Sequence, residues 1–271
     1  MGNGFQVMRN RGLFGRSIAG VVAVVMLSVG IGAFAMGGIE SYASSESSGS
    51  TAYKRMEVAD FDKIEVSGLM SVEYKQGKFP GYVELETLPG YMDIFDIKVK
   101  DGTLKLGCHQ LNSDNMRLKF VVKITAPKLK KVDMSGVSSF KVEGPLSFGD
   151  EFRLKTEGIA TVSFGEVTGK DMTIKTAGVS TIYMLAAELQ NLNIFSEGVS
   201  DIRLKGLNVD NIDAKAVSTA SIVLGGRCRN ITKKEANITS RIDTNGLIVE
   251  SASFQSEPGQ SSSGKTMPRI P

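Results

Sequence analysis

A short phrase returns every 20 residues along the middle of this chain. Its glycine falls at Gly158, Gly178 and Gly198, and the same slot continues, still in step, at Ser218 and Ile238. An earlier copy, VDMSGVSSF, centres on Gly136, and a further one, IEVSGLMSV, on Gly68. Self-similarity at this period marks a stacked, quasi-one-dimensional architecture, in which each unit buries its apolar side only against its neighbours. That constraint fixes much of the shape before any single residue is considered.

Numbering each copy from the glycine slot exposes the columns. Four residues after it stand Val72, Phe140, Val162, Ile182, Ile202, Ile222 and Ile242. Six after it stand Tyr74, Val142, Phe164, Met184, Leu204 and Leu224, and four before it Ile64, Val132, Leu154, Ile174 and Ile194. Polar residues separate them, so the pattern has period two and predicts strands rather than helices. A unit of this length holds two or three short strands joined by tight turns, which is one coil of a parallel β-solenoid. Stacked coils pair each strand with its copies above and below, at about 4.8 Å per step. The glycine column predicts a corner with positive φ or no room for a Cβ. Small residues two before and two after it (Thr156, Thr176, Ser196; Ala160, Ser180, Ser200) predict a tight interior there. The copies decay toward Ser218, Lys234 and Ile238, as terminal repeats do.

The ends read differently. Arg9, Arg11 and Arg16 precede an uncharged stretch from Ser17 to Ile39, followed by Glu40. Residues 1–35 therefore read as an apolar helical segment: a secretory signal peptide ending at Ala33-Phe34-Ala35, or an uncleaved membrane anchor over residues 17–39. In either case the basic flank stays in the cytoplasm and the rest is exported, to the periplasm, the outer surface or the medium. The net charge of +3 belongs to those three arginines; beyond Ala35, 29 basic residues balance 29 acidic ones. A neutral exported part makes nucleic acid an unlikely partner and confines membrane contact to the N-terminal segment. Residues 36–55 are serine-rich and read as a linker, residues 56–252 as the solenoid domain, and residues 253–271 as a disordered tail. Within the domain, residues 79–129 read as an inserted antiparallel strand segment: YVELETLPGYMDIFDIKVKDGTLKLG and MRLKFVVKITAP alternate as strands around a turn at Lys100-Asp101-Gly102. The insertion falls between the first two coils in sequence, or caps one end of the stack.

Catalytic signals are sparse. There is no P-loop and no dinucleotide fingerprint, and the one histidine, His109, lacks partners for a triad or a zinc site. No metal, cofactor or catalytic set is expected. Cys108 and Cys228 lie four to five coils apart, which favours two free thiols; a disulfide is the alternative. Two Asn-X-Thr patterns, beginning at Asn230 and Asn237, concern glycosylation only in a eukaryotic secretory pathway. Glycosidases set two carboxylates about 5 to 9.5 Å apart. Glu157 and Glu197, each one residue before the slot and separated by Ala177, would stand roughly 9 to 10 Å apart. They are the one enzyme candidate, against the plain reading of two solvated carboxylates. A row of Ser139, Thr161, Thr181, Asp201 and Ser221, three after the slot, is the second candidate. It forms a polar ladder suited to a glycan or another strand edge, although serine and threonine are ordinary outward residues on strands. The absence of tryptophan removes the usual aromatic sugar platform.

These motifs resemble the auto-transporter adhesin head GIN domain family of bacterial exported proteins. The resemblance rests on FDKIEVSGLMSVEYKQG, on LKKVDMSGVSSFKVEG, and on the succession TEGIATVSF, TAGVSTIYM, SEGVSDIRL, and covers about residues 60–250. It implies an all-β, single-stranded, right-handed parallel β-helix in the bacterial cell envelope. The function it implies is a non-enzymatic, adhesin-like binding module whose partner is a glycan or an envelope protein. The alternatives are a carbohydrate-active enzyme and a membrane-tethered structural protein.

Overall fold

A computed structural model of the protein describes residues 51–108, 120–235 and 239–250. The strands among them are β1 (Ala52–Glu57), β2 (Lys63–Gln76), β3 (Tyr82–Thr87), β4 (Phe95–Lys100), β5 (Thr103–Cys108), β6 (Val121–Ala126), β7 (Lys131–Glu143), β8 (Leu146–Ser147), β9 (Glu151–Thr168), β10 (Asp171–Ser196), β11 (Val199–Ala216), β12 (Thr219–Glu235) and β13 (Arg241–Val249). One 3-10 turn, Pro89–Ile94, is the sole helical piece among the described residues. All the strands join one sheet. No helix of the described residues is long and apolar enough to cross a membrane. The apolar segment over 17–39, His109 and the tail over 253–271 lie outside the described residues.

β2, β7, β9, β10, β11, β12 and β13 follow one another in parallel, each lying on the next. The register sets Val162 beside Ile182, Ile182 beside Ile202, Ile202 beside Ile222, and Ile222 beside Ile242. The sequence columns are therefore physical ladders. Val162, Ile182, Ile202 and Ile222 are wholly buried, and burying each such side chain contributes roughly 1.5–3 kcal/mol.

The strands run through the corners instead of stopping at turns, as the two-or-three-strand reading supposed. Along β10 the inward residues are Met172, Ile174 and Thr176, then Ser180, Ile182 and Met184, then Ala187 and Leu189, then Leu192, Ile194 and Ser196. Side chains on a strand alternate sides, so each slip in that alternation marks a bend of the backbone. The slips fall at 177–179, 185–186 and 190–191, which gives the coil three sides. β10 stays paired with β9 through the glycine bend and loses only Leu185 at the second, whereas its ladder with β11 begins at Val179, just after the glycine bend, and skips 185–186 and 190.

At the first bend the glycines are required. Gly158, Gly178 and Gly198 have φ of +93°, +95° and +89°. A Cβ on Gly178 would lie 2.5 Å from the Gly158 carbonyl oxygen, closer than any real contact. The small residues beside this bend point inward and bond to one another. Thr156 Oγ1 meets Ser180 Oγ at 2.8 Å, Thr176 Oγ1 meets Ser196 Oγ at 2.9 Å, and Ser196 contacts Ser200. These hydroxyls are buried, and without partners each would carry a desolvation cost. Ala216 and Ala220 take over the two columns one coil further on, where the hydroxyl pairs end.

The inserted segment caps one end. β2 and β7 pair directly along Lys63–Lys75 and Lys131–Glu143, so nothing intervenes between the first two coils. On the outer side of β2, β5 pairs with Lys63–Val66 and β6 with Ser71–Gln76, both in parallel. The two strands thus act as an extra coil laid on the start of the stack, out of sequence order. β4 closes onto β5, β3 onto β6 and β1 onto β3, all antiparallel. β1 corrects the linker boundary: Ala52–Arg55, read as spacer, are strand, because they pair with Leu85–Thr87 and Glu84. Tyr74 is sealed under this cap. Its hydroxyl donates to the Ala126 carbonyl at 2.9 Å, its ring stacks on Phe140, and burial pushes its phenol above the ordinary range.

Gly178→Ala is expected to destabilise the domain by about 1–3 kcal/mol in chemical denaturation, through backbone strain and the clash with Gly158. Gly149→Ala, with nothing within 4 Å of its Cβ position, should change stability by less than about 0.5 kcal/mol.

Candidate functional site

The side that follows the glycine bend presents three outward columns. The first is apolar: Leu69, Val137, Ile159, Val179 and Val199 stand in register. The second is the polar ladder expected from sequence. Ser139, Thr161, Thr181, Asp201 and Ser221 are consecutive partners, with Ser71 before them and Arg241 after. From Ser71 to Ser221 these side chains are half-buried by their neighbours, and Arg241 is exposed. Ser139 Oγ donates to Ser71 Oγ at 2.8 Å, and Asp201 holds Arg203 in an ion pair at 2.8 Å. The third column is mixed: Lys141, Ser163, Tyr183, Arg203 and Val223. Tyr183 sits level with Arg203, beside Thr181 and Asp201.

The side that precedes the glycine bend carries an arrangement the sequence reading missed. Asn191 Nδ2 donates to Asp171 Oδ1 at 2.6 Å, Asn211 Nδ2 to Asn191 Oδ1 at 2.9 Å, and Asn230 Nδ2 to Asn211 Oδ1 at 2.9 Å. This carboxamide ladder runs along the stack. Beside it, two residues along each strand, stand Thr173, Asn193, Asp213 and Thr232. The two columns border a trough of about 380 Å³. Asn230, noted in the sequence only for its glycosylation pattern, is a rung of this ladder. A column seven before the glycine slot would have exposed Asp171, Asn191 and Asn211. The last rung is displaced by one residue, because the β11–β12 register slips between Leu204 and Leu207.

A second groove of about 440 Å³ lies across the short third side, bordered by Lys170, Glu188, Gln190, Asp210, Arg227 and Arg229 among others. Its charges are of both signs and partly paired: Lys170 with Asp150 at 2.6 Å and Arg229 with Asp210 at 3.4 Å. The Lys170 ammonium beside it holds the Asp150 carboxyl below its usual range.

Glu157 and Glu197 share the side of the carboxamide ladder. Glu157 is level with Ala177 in the register, and the Glu197 amide donates to the Thr176 carbonyl at 2.9 Å one coil on. Both carboxylates are exposed. Glu157 is held by Lys155 at 2.5 Å, which raises the lysine's pKa. Neither glutamate borders the trough or the groove. Among the described residues, no group of three or more His, Cys, Asp or Glu side chains is placed to hold a metal ion. The two cysteines are free thiols, Cys108 half-buried under the Gly68 bend and Cys228 buried in β12. Burial pushes both thiols above their ordinary pKa.

A repeat-built β-solenoid, capped at one end and carrying ligand-sized surfaces along its sides, defines the class of protein. Residues 60–263 match the family described as "Putative auto-transporter adhesin, head GIN domain", and the chain belongs to that family. Solved structures share the fold. A "putative adhesin" from Parabacteroides distasonis is 22% identical, with a TM-score of 0.57, over 74% of this chain and 97% of that one. A "putative adhesin" from Bacteroides fragilis is 19% identical, with a TM-score of 0.58, over 73% and 97%. A "putative lipid binding protein" from Parabacteroides distasonis is 18% identical, with a TM-score of 0.54, over 72% and 97%. No curated protein matches.

Both thiols are expected to react with a disulfide reagent once the chain is denatured. In the native protein Cys108 should label first, with Cys228 lagging by more than about tenfold because it must await local opening. Stoichiometric labelling in denaturant checks the first statement, and peptide mapping of partly labelled protein checks the second.

Proposed function

We propose that this protein is an exported, non-enzymatic, adhesin-like binding module of the bacterial cell envelope. In this reading it engages an envelope protein through the side that follows the glycine bend. One observation carries it. Of the eight large apolar side chains exposed among the described residues, five lie on or at the edge of this one side: Val179, Tyr183, Leu185, Val199 and Val223. Exposed apolar area gathered in one place and bordered by polar residues marks an interaction surface. Here the Ser139–Ser221 ladder and Arg203 form the polar border, Val179 and Val199 the apolar stripe, and Tyr183 and Arg203 are residue types favoured as anchors. The flatness of a paired sheet suits a broad partner better than a small molecule.

The coils, about 20 residues each, wind right-handed in this reading, as crossovers between parallel strands in one sheet nearly always do. Family membership supports export, and the basic-then-apolar N-terminus supplies the route. The solenoid stands in the periplasm or at the outer surface, released after cleavage near Ala35 or tethered by residues 17–39. Glu157 and Glu197 act in this reading as solvated surface charges, consistent with the ion pair of Glu157 to Lys155.

Val179→Lys combined with Val199→Lys should weaken capture of the envelope partner by at least about tenfold, through two desolvated charges at the stripe. The circular-dichroism spectrum should stay unchanged, and Glu157→Gln with Glu197→Gln should bind as the parent does. Pull-down from a solubilised envelope fraction followed by titration of the captured protein reads the effect; equal binding by the lysine variant overturns the proposal. The mass of the mature N-terminus is expected to correspond to a start at Met36. A mass that retains residues 17–39 would assign the tethered form instead.

A further inference from the structure

We propose that the trough bordered by the carboxamide ladder binds an extended, uncharged glycan lying along the stack, on a different side of the coil from the apolar stripe. The chemistry of the trough points there. Each carboxamide offers two N–H donors and two acceptor lone pairs. Asn191 and Asn211 each use one donor and one acceptor within the ladder. Each therefore keeps one donor and one lone pair for a ligand, at two consecutive levels of the stack. Asn193 and Asp213 stand two residues along their strands and make no side-chain hydrogen bond with other described residues. A sugar hydroxyl is itself both donor and acceptor, and the trough supplies both at these two levels. The spacing also fits: levels recur at about 4.8 Å, close to the advance of one sugar per level in an extended chain.

Charge selects among polymers. The border holds Glu151, Asp171 and Asp213 but no lysine or arginine, so a polyanion seated in the trough faces carboxylates, while Arg153, one coil before Thr173 in the register, is already ion-paired with Glu151. A polycation gains only the Asp213 carboxylate, since Glu151 is already ion-paired with Arg153 and Asp171 accepts the Asn191 amide. An uncharged glycan forms hydrogen bonds without an ionic cost. The rungs are pre-organised by their own bonds, so binding orders few side chains.

The test uses the full chain against linear glucans, mannans and xylans, with polygalacturonate and oligolysine as charged controls. Saturable binding to at least one uncharged polymer is expected, nearly independent of salt between about 50 and 500 mM. Asn193→Ala should weaken it about two- to tenfold, the loss of one or two hydrogen bonds. Asn193→Arg with Asp213→Lys, which fills the trough from two exposed positions, should weaken it by at least about tenfold. Val179→Lys with Val199→Lys should leave it unchanged, which separates this site from the protein-binding side. The inference is overturned by no saturable binding to any uncharged polymer, by tighter binding to either charged control, or by glycan binding that survives both trough variants.

Discussion

At the glycine bend, consecutive coils approach so closely that the carbonyl of one glycine occupies the space a Cβ on the next would need. Gly136 meets Gly68 in this way, Gly158 meets Gly136, and Gly178 meets Gly158. The positive φ at each slot aims the backbone into this contact. A coil that slipped by one residue would bring a side chain to the bend and turn every inward residue outward. The bend therefore fixes register, and register fixes everything else. Where the slot becomes Ser218, φ remains positive at +64°, and ladder pairing starts at Val199–Thr219, as it starts at Val179–Val199 one coil earlier.

In-register stacking sets like residues beside like, with opposite consequences inside and outside. Inside, it builds the aliphatic ladders and the hydroxyl pairs that satisfy one another. Outside, it would line up equal charges, and the chain answers along the strand as well as between coils, where Lys170 meets Asp150 and Arg229 meets Asp210. Lys131–Asp133, Arg153–Glu151, Lys155–Glu157, Arg203–Asp201 and Arg241–Asp243 each join residues two apart on one strand face. Such exposed pairs add little stability individually. Their effect is to let lysine and arginine stack without accumulating a field. Asparagine gains from being stacked on itself, because its donor and acceptor ends meet, as Ser139 does on Ser71.

Two sides of the coil were legible in the sequence, since they carry several inward residues in strict alternation around a conspicuous glycine. Ile174, Ile182 and Met184 announce themselves. The third side was not, because Ala187 and Leu189 are its only inward residues and both flanking bends shift the alternation. The carboxamide ladder was obscured for a related reason: its rungs begin just after such a shift, and the last is displaced by the slip near Gly226. The polar ladder from Ser139 to Ser221 is legible in the sequence, yet the apolar column beside it is not, since alternation treats outward valines as exceptions. That the insertion caps one end is one of the two readings open in sequence, but that β5 and β6 do so by pairing with β2 is not legible there. Their pairing is parallel, non-local and outside the repeat, so periodicity carries no trace of it.

The same repetition shapes what the molecule can bind. A compact ligand touches one level and gains from one set of contacts, which in water amounts to little. An extended partner that advances at the ladder spacing meets the same contact again at each coil, and once the first level is engaged the next acts at high effective concentration. Rigid backbone ladders make this addition efficient, because the levels cannot drift relative to one another. Selectivity then depends on length and spacing more than on any single side chain. Loss of a mid-stack level such as that of Asn191 or Thr181 splits the run into two shorter ones, whereas loss of a terminal level merely shortens it. Substitutions near the centre of the stack should therefore weaken binding more than the same substitutions at either end.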